Sequence, residues 1–132
     1  MANKTQTEML KGAVSAWNVW RTEHADLQPD LAEAHLHGLD LMGANLDKAD
    51  LRRADLRGTN LSDASLVGAH LEGATFFKAV LDRADLAGAH LAGAKFLTGD
   101  QLTAAKNWQS AYRDQSLACG APLPMDRPTD RS

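Results

Sequence analysis

The sequence contains no isoleucine and only four valines, although 44% of its 132 residues are hydrophobic and 5% are aromatic. Conventional β-strands draw heavily on β-branched and aromatic residues, so an ordinary sheet is excluded. The single cysteine, Cys119, cannot form an intramolecular disulfide, which favours a reducing compartment. The sequence also lacks an apolar run that could span a bilayer or serve as a signal peptide, so we expect a cytoplasmic protein without membrane contact.

Excess positive charge is missing as well. The formal net charge is −3, whereas proteins that grip nucleic-acid phosphates carry basic surfaces, so nucleic acid is not an expected partner. We also find no nucleophile arrangement, phosphate-binding loop or Cys/His cluster in the sequence. These absences predict a protein that is not an enzyme and needs no cofactor.

What the chain does contain is a large excess of Ala and Leu, at 23 and 19 residues. Leu or Phe recurs at every fifth position over fourteen units, Ala usually stands two positions before it, and seven of the ten glycines stand two positions after it. These fourteen central residues are predicted to define the core: Leu31, Leu36, Leu41, Leu46, Leu51, Leu56, Leu61, Leu66, Leu71, Phe76, Leu81, Leu86, Leu91 and Phe96.

A period of five fits neither an α-helix nor a flat strand, because both would scatter the Leu residues over different faces. A short extended piece followed by a bend does fit, with Ala and the centre inward, the residue between them outward, and Gly at the corner. A separation of twenty residues pairs Phe76 with Phe96 and His70 with His90. We therefore predict a four-sided solenoid of about 3.5 coils, about 17 Å tall at the spacing of paired strands.

These units resemble the pentapeptide-repeat family, whose pattern is Ala, then Asp or Asn, then Leu and two variable residues. Residues 49–51, 54–56 and 84–86 read Ala-Asp-Leu, and residues 44–46 read Ala-Asn-Leu. The resemblance covers residues 29–98 and implies an all-β solenoid, a right-handed quadrilateral β-helix.

A solenoid needs a cap at each open end. Residues 1–28 are predicted to form an N-terminal helical cap, with a helix over 7–24 and Thr5 or Thr7 as its N-cap. The apolar positions of this helix are Leu10, Val14, Trp17 and Trp20.

After Phe96 the pentapeptide register is lost, so we expect the β-helix to end at residue 98. Residues 99–119 are predicted to form a C-terminal helical cap with Asp100 as N-cap, and residues 120–132 a flexible tail. An alternative role for the C-terminal helix is pairing, because topoisomerase-binding members of the resembled family dimerise through C-terminal elements. The protein is thus a monomer or a homodimer, and the dimer contacts would be Leu102, Trp108 and Tyr112, while Ala105 completes the apolar stripe.

The outward positions are the places where a partner could bind. One side of the solenoid sums to +2, whereas the other three sum to −2, −2 and −1. On the basic side an apolar pair is expected to be surrounded by cations, which is typical of a small interface. We therefore predict a protein-interaction scaffold with an unidentified protein partner, and an interaction patch formed by Phe77, Leu97, Arg57, Lys78 and Lys95.

The sequence offers two alternative functions. The resemblance implies that the protein could imitate duplex DNA and bind DNA gyrase or topoisomerase IV, giving quinolone protection, but a 17 Å mimic should carry on the order of ten negative charges. A metal could also bind an outward ladder of His70 and His90 with Asp30 and Asp50. A flat ladder converges poorly on a tetrahedral ion, so no metal site is predicted.

Overall fold

The computed structural model of the protein describes residues 2–114. Cys119, the predicted tail at 120–132 and the end of the predicted C-terminal cap lie outside the described residues. Within the described chain, none of the helices has the length and apolar character needed to cross a bilayer.

Two helices, α1 (Lys4–Gly12) and α2 (Val14–Glu23), stand where the sequence predicted one. Ala13 between them is extended, with φ −161° and ψ 131°, and it follows Gly12, a residue that weakens helices. The N-cap of α1 is Asn3, whose side chain accepts a hydrogen bond from the Gln6 N–H at 3.0 Å. The predicted continuous helix and its Thr5 or Thr7 N-cap were therefore wrong.

The central region is built from single-residue parallel bridges between residues twenty apart. Ten such bridges run from Asp30–Asp50 to Thr75–Lys95. The spacing means that each coil has four sides, as the sequence predicted. Because each side bends after a few residues, the pairing between residues 30 and 95 consists of isolated bridges rather than long strands.

The chain turns at the second residue after each centre. In all thirteen repeats from Leu31 to Leu91 this residue has a φ between 58° and 75°. Seven of these corners are glycine, which adopts left-handed angles freely, and six carry side chains such as Lys48 and Arg53. The glycine pattern in the sequence thus located the corner correctly.

Thirteen of the fourteen central side chains are at most 2% exposed and form one core with the Ala residues beside them. Phe96 is the exception, because 67% of its surface is exposed. Its backbone turns into the left-handed region at φ 59°, so the chain leaves the coil immediately after Lys95. The prediction of Phe96 as a core residue was wrong.

Beyond Phe96, helix α3 (Gly99–Thr103) is only five residues long and is capped by Thr98 rather than Asp100. Its Gln101 completes a capping box with Thr98, and the Gln101 Nε2 donates hydrogen bonds to the carbonyl oxygens of Phe76 and Ala79 at 2.8 and 2.9 Å. Helix α3 is thereby fixed over the coil beneath it.

Parallel pairing resumes after α3. Lys106 bridges to Asp85, a short 3₁₀ helix spans Trp108–Ser110, and Tyr112 bridges to His90. The prediction that the β-helix ends at residue 98 was wrong, and only part of the segment from 99 to 114 is helical. The sequence pattern did not indicate these two bridges, because their partners are separated by 21 and 22 residues instead of twenty.

At the other end, α2 is fixed to the first coil by hydrogen bonds to its backbone. The Trp17 Nε1 donates to the Asn45 carbonyl at 2.7 Å, and the Arg21 guanidinium donates to the Asp47 carbonyl at 3.0 Å. Trp17 is fully buried, and Leu10 of α1 is 1% exposed, both within the same core as the repeat centres.

Candidate functional surfaces

The outward position before each centre proves to be structural wherever it holds Asp or Asn. The side-chain oxygen accepts a hydrogen bond from the backbone N–H two residues later, which closes a local turn over the centre. For Asp50 and Arg52 the distance is 3.2 Å, and for Asn60 and Ser62 it is 3.0 Å. The same bond is made by Asp30, Asp40, Asn45, Asp55 and Asp85.

Two of these aspartates also neutralise the arginine that follows them. Asp50 accepts two hydrogen bonds from the Arg52 guanidinium, and Asp55 accepts two from Arg57, at 2.7 and 2.8 Å. Hydrogen bonding and charge attraction from Arg57 hold the pKa of Asp55 at about 2, below its ordinary 3.8. Arg52 lowers the pKa of Asp50 in the same way. These charges therefore stabilise their own repeat and are less available to a partner.

Corner side chains pair between adjacent coils. Arg53 contacts Glu33 at 2.9 Å, and Arg83 contacts Asp63 at 2.9 Å, each twenty residues away. The pairs are exposed, so each adds little stability. They also reduce the acidic charge that the side faces present.

The predicted interaction patch is rearranged at one end. Leu97 is partly buried and packs against the core, and Phe96 occupies the outer surface instead. The rings of Phe77 and Phe96 meet edge to face with centroids 5.8 Å apart, and their residues are 49% and 67% exposed. The Lys78 Nζ lies 5.4 Å from the centre of the Phe77 ring. We call Phe77, Phe96 and Lys78 the aromatic patch.

Of the other predicted patch residues, Lys95 is exposed and immediately precedes Phe96. Arg57 is exposed too, but it is paired with Asp55. Sequence reasoning missed Phe96 because it placed every fifth residue inside.

The predicted dimer contacts do not form one exposed stripe. Leu102 is fully buried in the core, so its assignment as a dimer contact was wrong. Trp108 is partly buried, with the Arg113 guanidinium 5.1 Å from its ring centre. Tyr112 is 37% exposed and stacks on His90.

On one side face, aromatic rings are stacked along the solenoid. The rings of His70 and His90 are stacked with centroids 4.5 Å apart and are nearly parallel, with an angle of 2° between their planes, and Tyr112 stacks on His90 at 5.0 Å. Burial and the neighbouring His70 lower the pKa of His90, while Glu72 opposes that shift. His90 is therefore disposed to be neutral near neutral pH.

A carboxylate joins the two histidines, but it is not one that the sequence suggested. The Glu72 Oε2 lies 3.6 Å from the His70 Nδ1, whereas Asp50 is paired with Arg52. A donor atom of each of His70, Glu72 and His90 lies within 4.8 Å of the others. His70 and Glu72 flank the central Leu71 in the same way that Asp50 and Arg52 flank Leu51. This spacing of two residues was the feature of the sequence that could have indicated the contact between His70 and Glu72.

The periodicity, the four-sided pairing and the left-handed corners agree with a match to a family model. The model for pentapeptide repeats matches eight copies over residues 30–63 and 64–96, about half of the sequence. The chain belongs to the pentapeptide-repeat family. Membership implies a right-handed β-helix solenoid, and proteins of this family generally serve as interaction scaffolds rather than enzymes.

Solved structures similar to this chain are pentapeptide repeat proteins as well. One comes from the thylakoid lumen of Arabidopsis thaliana, with 23% identity, a TM-score of 0.35, and coverage of 69% of this chain and 68% of that one. A protein of the cyanobacterium Cyanothece 51142 is 28% identical, with a TM-score of 0.22 and coverage of 58% and 54%. One from Nostoc PCC 7120 is 26% identical, with a TM-score of 0.25 and coverage of 85% and 91%. No curated protein matches the sequence significantly.

Proposed function

We propose that this pentapeptide-repeat protein is a non-enzymatic scaffold that binds another protein through the aromatic patch. The observation that carries the proposal is the exposed edge-to-face pair of Phe77 and Phe96, with centroids 5.8 Å apart. Side chains of this size are normally buried, and exposed aromatic clusters at surfaces are typical of interfaces.

The charge around the patch supports a partner with acidic groups beside an apolar side chain. Lys78 lies over one ring, and Lys95 precedes the other. Neither lysine is in an ion pair within residues 2–114, whereas Arg52, Arg57 and Arg83 are paired with aspartates. The two lysines can therefore meet carboxylates of a partner without breaking an internal pair.

The proposal is tested by comparing protein capture by the wild-type chain with capture by the double variant Phe77→Ala and Phe96→Ala. We expect the partner to be lost from the double variant while the circular dichroism spectrum is unchanged, since both side chains are outward. Met42→Ala is the matched control, because Met42 is 50% exposed but lies on another side.

Retention of the partner by the double variant, or equal loss from Met42→Ala, would refute the aromatic patch as the binding surface. A further variant, Lys78→Glu, should weaken binding of an acidic partner more strongly as ionic strength falls. An unchanged salt dependence would refute the charge assignment.

DNA mimicry remains the alternative, and the distribution of charge ranks it second. Asp50, Asp55 and Asp63 are each paired with an arginine, which reduces the negative charge that the side faces offer to a DNA-binding enzyme. We expect the protein to leave gyrase supercoiling and its inhibition by quinolones unchanged. Protection at a protein concentration comparable to that of the enzyme would reverse the ranking.

Three further assignments belong to this proposal. We take α1 and α2 as a cap on the first coil, supported by the bonds of Trp17 and Arg21 to its backbone. A cytoplasmic location is supported by the single cysteine. The burial of Leu102 supports a monomer, which light scattering would check.

A further inference from the structure

A second surface is built on the side face that holds the histidine stack, and it shares no residue with the aromatic patch. His70 and His90 occupy equivalent positions of adjacent coils, which the parallel bridge between them holds in register. Their rings are stacked at 4.5 Å, and Tyr112 covers the far side of His90 at 5.0 Å. The backbone therefore fixes the Cα positions of both histidines, while each side chain remains partly exposed.

We propose that His70, His90 and Glu72 form a binding site for one divalent transition-metal ion of the Zn²⁺, Ni²⁺ and Cu²⁺ group. The three side chains converge from two coils, and a donor atom of each lies within 4.8 Å of the others. A flat ladder of outward side chains converges poorly on one ion. Glu72 improves the convergence, because it approaches from the next outward position of the His70 repeat.

The distances are compatible with a shared ion after a small adjustment. Two ligands at about 2.0–2.1 Å from a tetrahedral Zn²⁺ lie about 3.3 Å apart. The Glu72 Oε2 and the His70 Nδ1 are already 3.6 Å apart. The ligand nitrogen of His90 needs to move about 1–2 Å out of the stack towards the other two ligand atoms. A partly exposed side chain can make this movement by rotating about its χ angles.

The chemistry of the surroundings favours the same class of ion. Glu72 Oε1 is buried and has no hydrogen-bond partner within residues 2–114, so one carboxylate oxygen is left unsatisfied. Arg52 lines a hollow on this face together with His70 and Glu72, but its charge is matched by Asp50 at 2.8 Å. Two imidazoles and one carboxylate suit Zn²⁺, Ni²⁺ and Cu²⁺ rather than Mg²⁺ or Ca²⁺. Water would complete the coordination.

The test is calorimetric titration of the full, tag-free chain with ZnCl₂. We expect one saturable site per chain, at least about tenfold weaker binding in His70→Asn and in His90→Asn, and weaker binding in Glu72→Gln. Asn is the residue that the repeat itself favours at this outward position, so the two His variants should keep the fold. A tenfold excess of Mg²⁺ should not displace Zn²⁺.

The double variant His35→Ala and His37→Ala is the matched control, because it removes two other outward histidines on a different side. It should bind Zn²⁺ as the wild type does. Co²⁺ offers a second readout, since a wild-type site should give visible absorption bands that His90→Asn lacks. Absence of saturable Zn²⁺ binding at millimolar concentration, or binding that survives His70→Asn and His90→Asn, would overturn the proposal. Loss confined to the His35 and His37 variant would also overturn it.

Discussion

Phe76 and Phe96 occupy the same position of the repeat, twenty residues apart, yet one is fully buried and the other is 67% exposed. The difference follows from their neighbours. Phe76 is covered by the chain that continues through Lys95 and α3, with Gln101 bonded to its carbonyl oxygen. Phe96 lies where the backbone leaves the coil, so the same residue type changes from core to surface.

This contrast gives a direct prediction. Phe76→Ala should lower the free energy of unfolding by about 3–5 kcal/mol, because it leaves a large cavity. Phe96→Ala should lower it by less than about 1 kcal/mol, since only a surface ring contact is lost. Urea unfolding of the two variants provides the comparison, and equal losses would contradict the placement of Phe96.

The pair of Asp55 and Arg57 predicts a pH dependence. Because the pKa of Asp55 is about 2 in the folded state against 3.8 ordinarily, its contribution to stability is complete above about pH 4. That contribution is lost as the pH falls from about 4 to 2. Arg57→Ala should raise the pKa of Asp55 towards its ordinary value and shrink this loss.

The pKa of Asp55 is measured by NMR titration, and stability by urea unfolding between pH 2 and 7. At neutral pH the substitution should lower the stability only slightly, because the pair is exposed to solvent. Lys11→Ala on α1 is the control and should leave the pKa of Asp55 where it is. An unshifted Asp55 in Arg57→Ala would show that Arg57 does not set its pKa.

At the scale of elements, the helices were harder to predict than the repeats. The apolar spacing of the N-terminal segment correctly indicated helix and the burial of Leu10 and Trp17. The break at Ala13 was not foreseen, because it depends on how two short helices fit the open first coil. The hydrogen bonds from a backbone N–H to the outward Asp or Asn two residues before it were not predicted either. The sequence shows that the Asp is outward, but it does not show which N–H donates to it.

Trp17 provides the test of how α2 is held. Trp17→Phe keeps most of the buried ring but removes the donor to the Asn45 carbonyl, which is 2.7 Å from Nε1. We expect a loss of about 1–3 kcal/mol, because a carbonyl at this junction would be left unpaired. Trp20→Phe, at a partly buried ring, should cost less, and unfolding monitored by circular dichroism measures both. A Trp17→Phe variant as stable as the wild type would mean that this hydrogen bond does not anchor α2.

For the whole molecule, the solenoid makes each coil depend on the coils above and below it. In the middle coil, the His70 N–H donates to Ala49 and the Leu71 N–H donates to His90, so both neighbours must separate before these amides open. Helix α1 contacts the solenoid from one side only. Stability should therefore fall from the centre towards the ends.

Hydrogen exchange followed by mass spectrometry checks this gradient. Amides of residues 50–71 should exchange only with global unfolding, and those of α1 and α3 should exchange faster through local opening. The wild-type rates under native conditions are compared with those in low urea. Equal protection of α1 and the middle coil would show that the molecule opens as a single unit.

The sequence by itself determined the period of five, the four sides, the corners and thirteen of the fourteen buried centres. These features are local and repeated, because each repeat imposes the same backbone path and each coil stacks on the next. Only the tertiary structure decided where the coil ends and what its surface brings together. Phe96 turns outward, Lys106 and Tyr112 add irregular rungs, and Glu72 meets two histidines from adjacent coils. Such outcomes depend on contacts between residues far apart in the chain, which a local pattern does not encode.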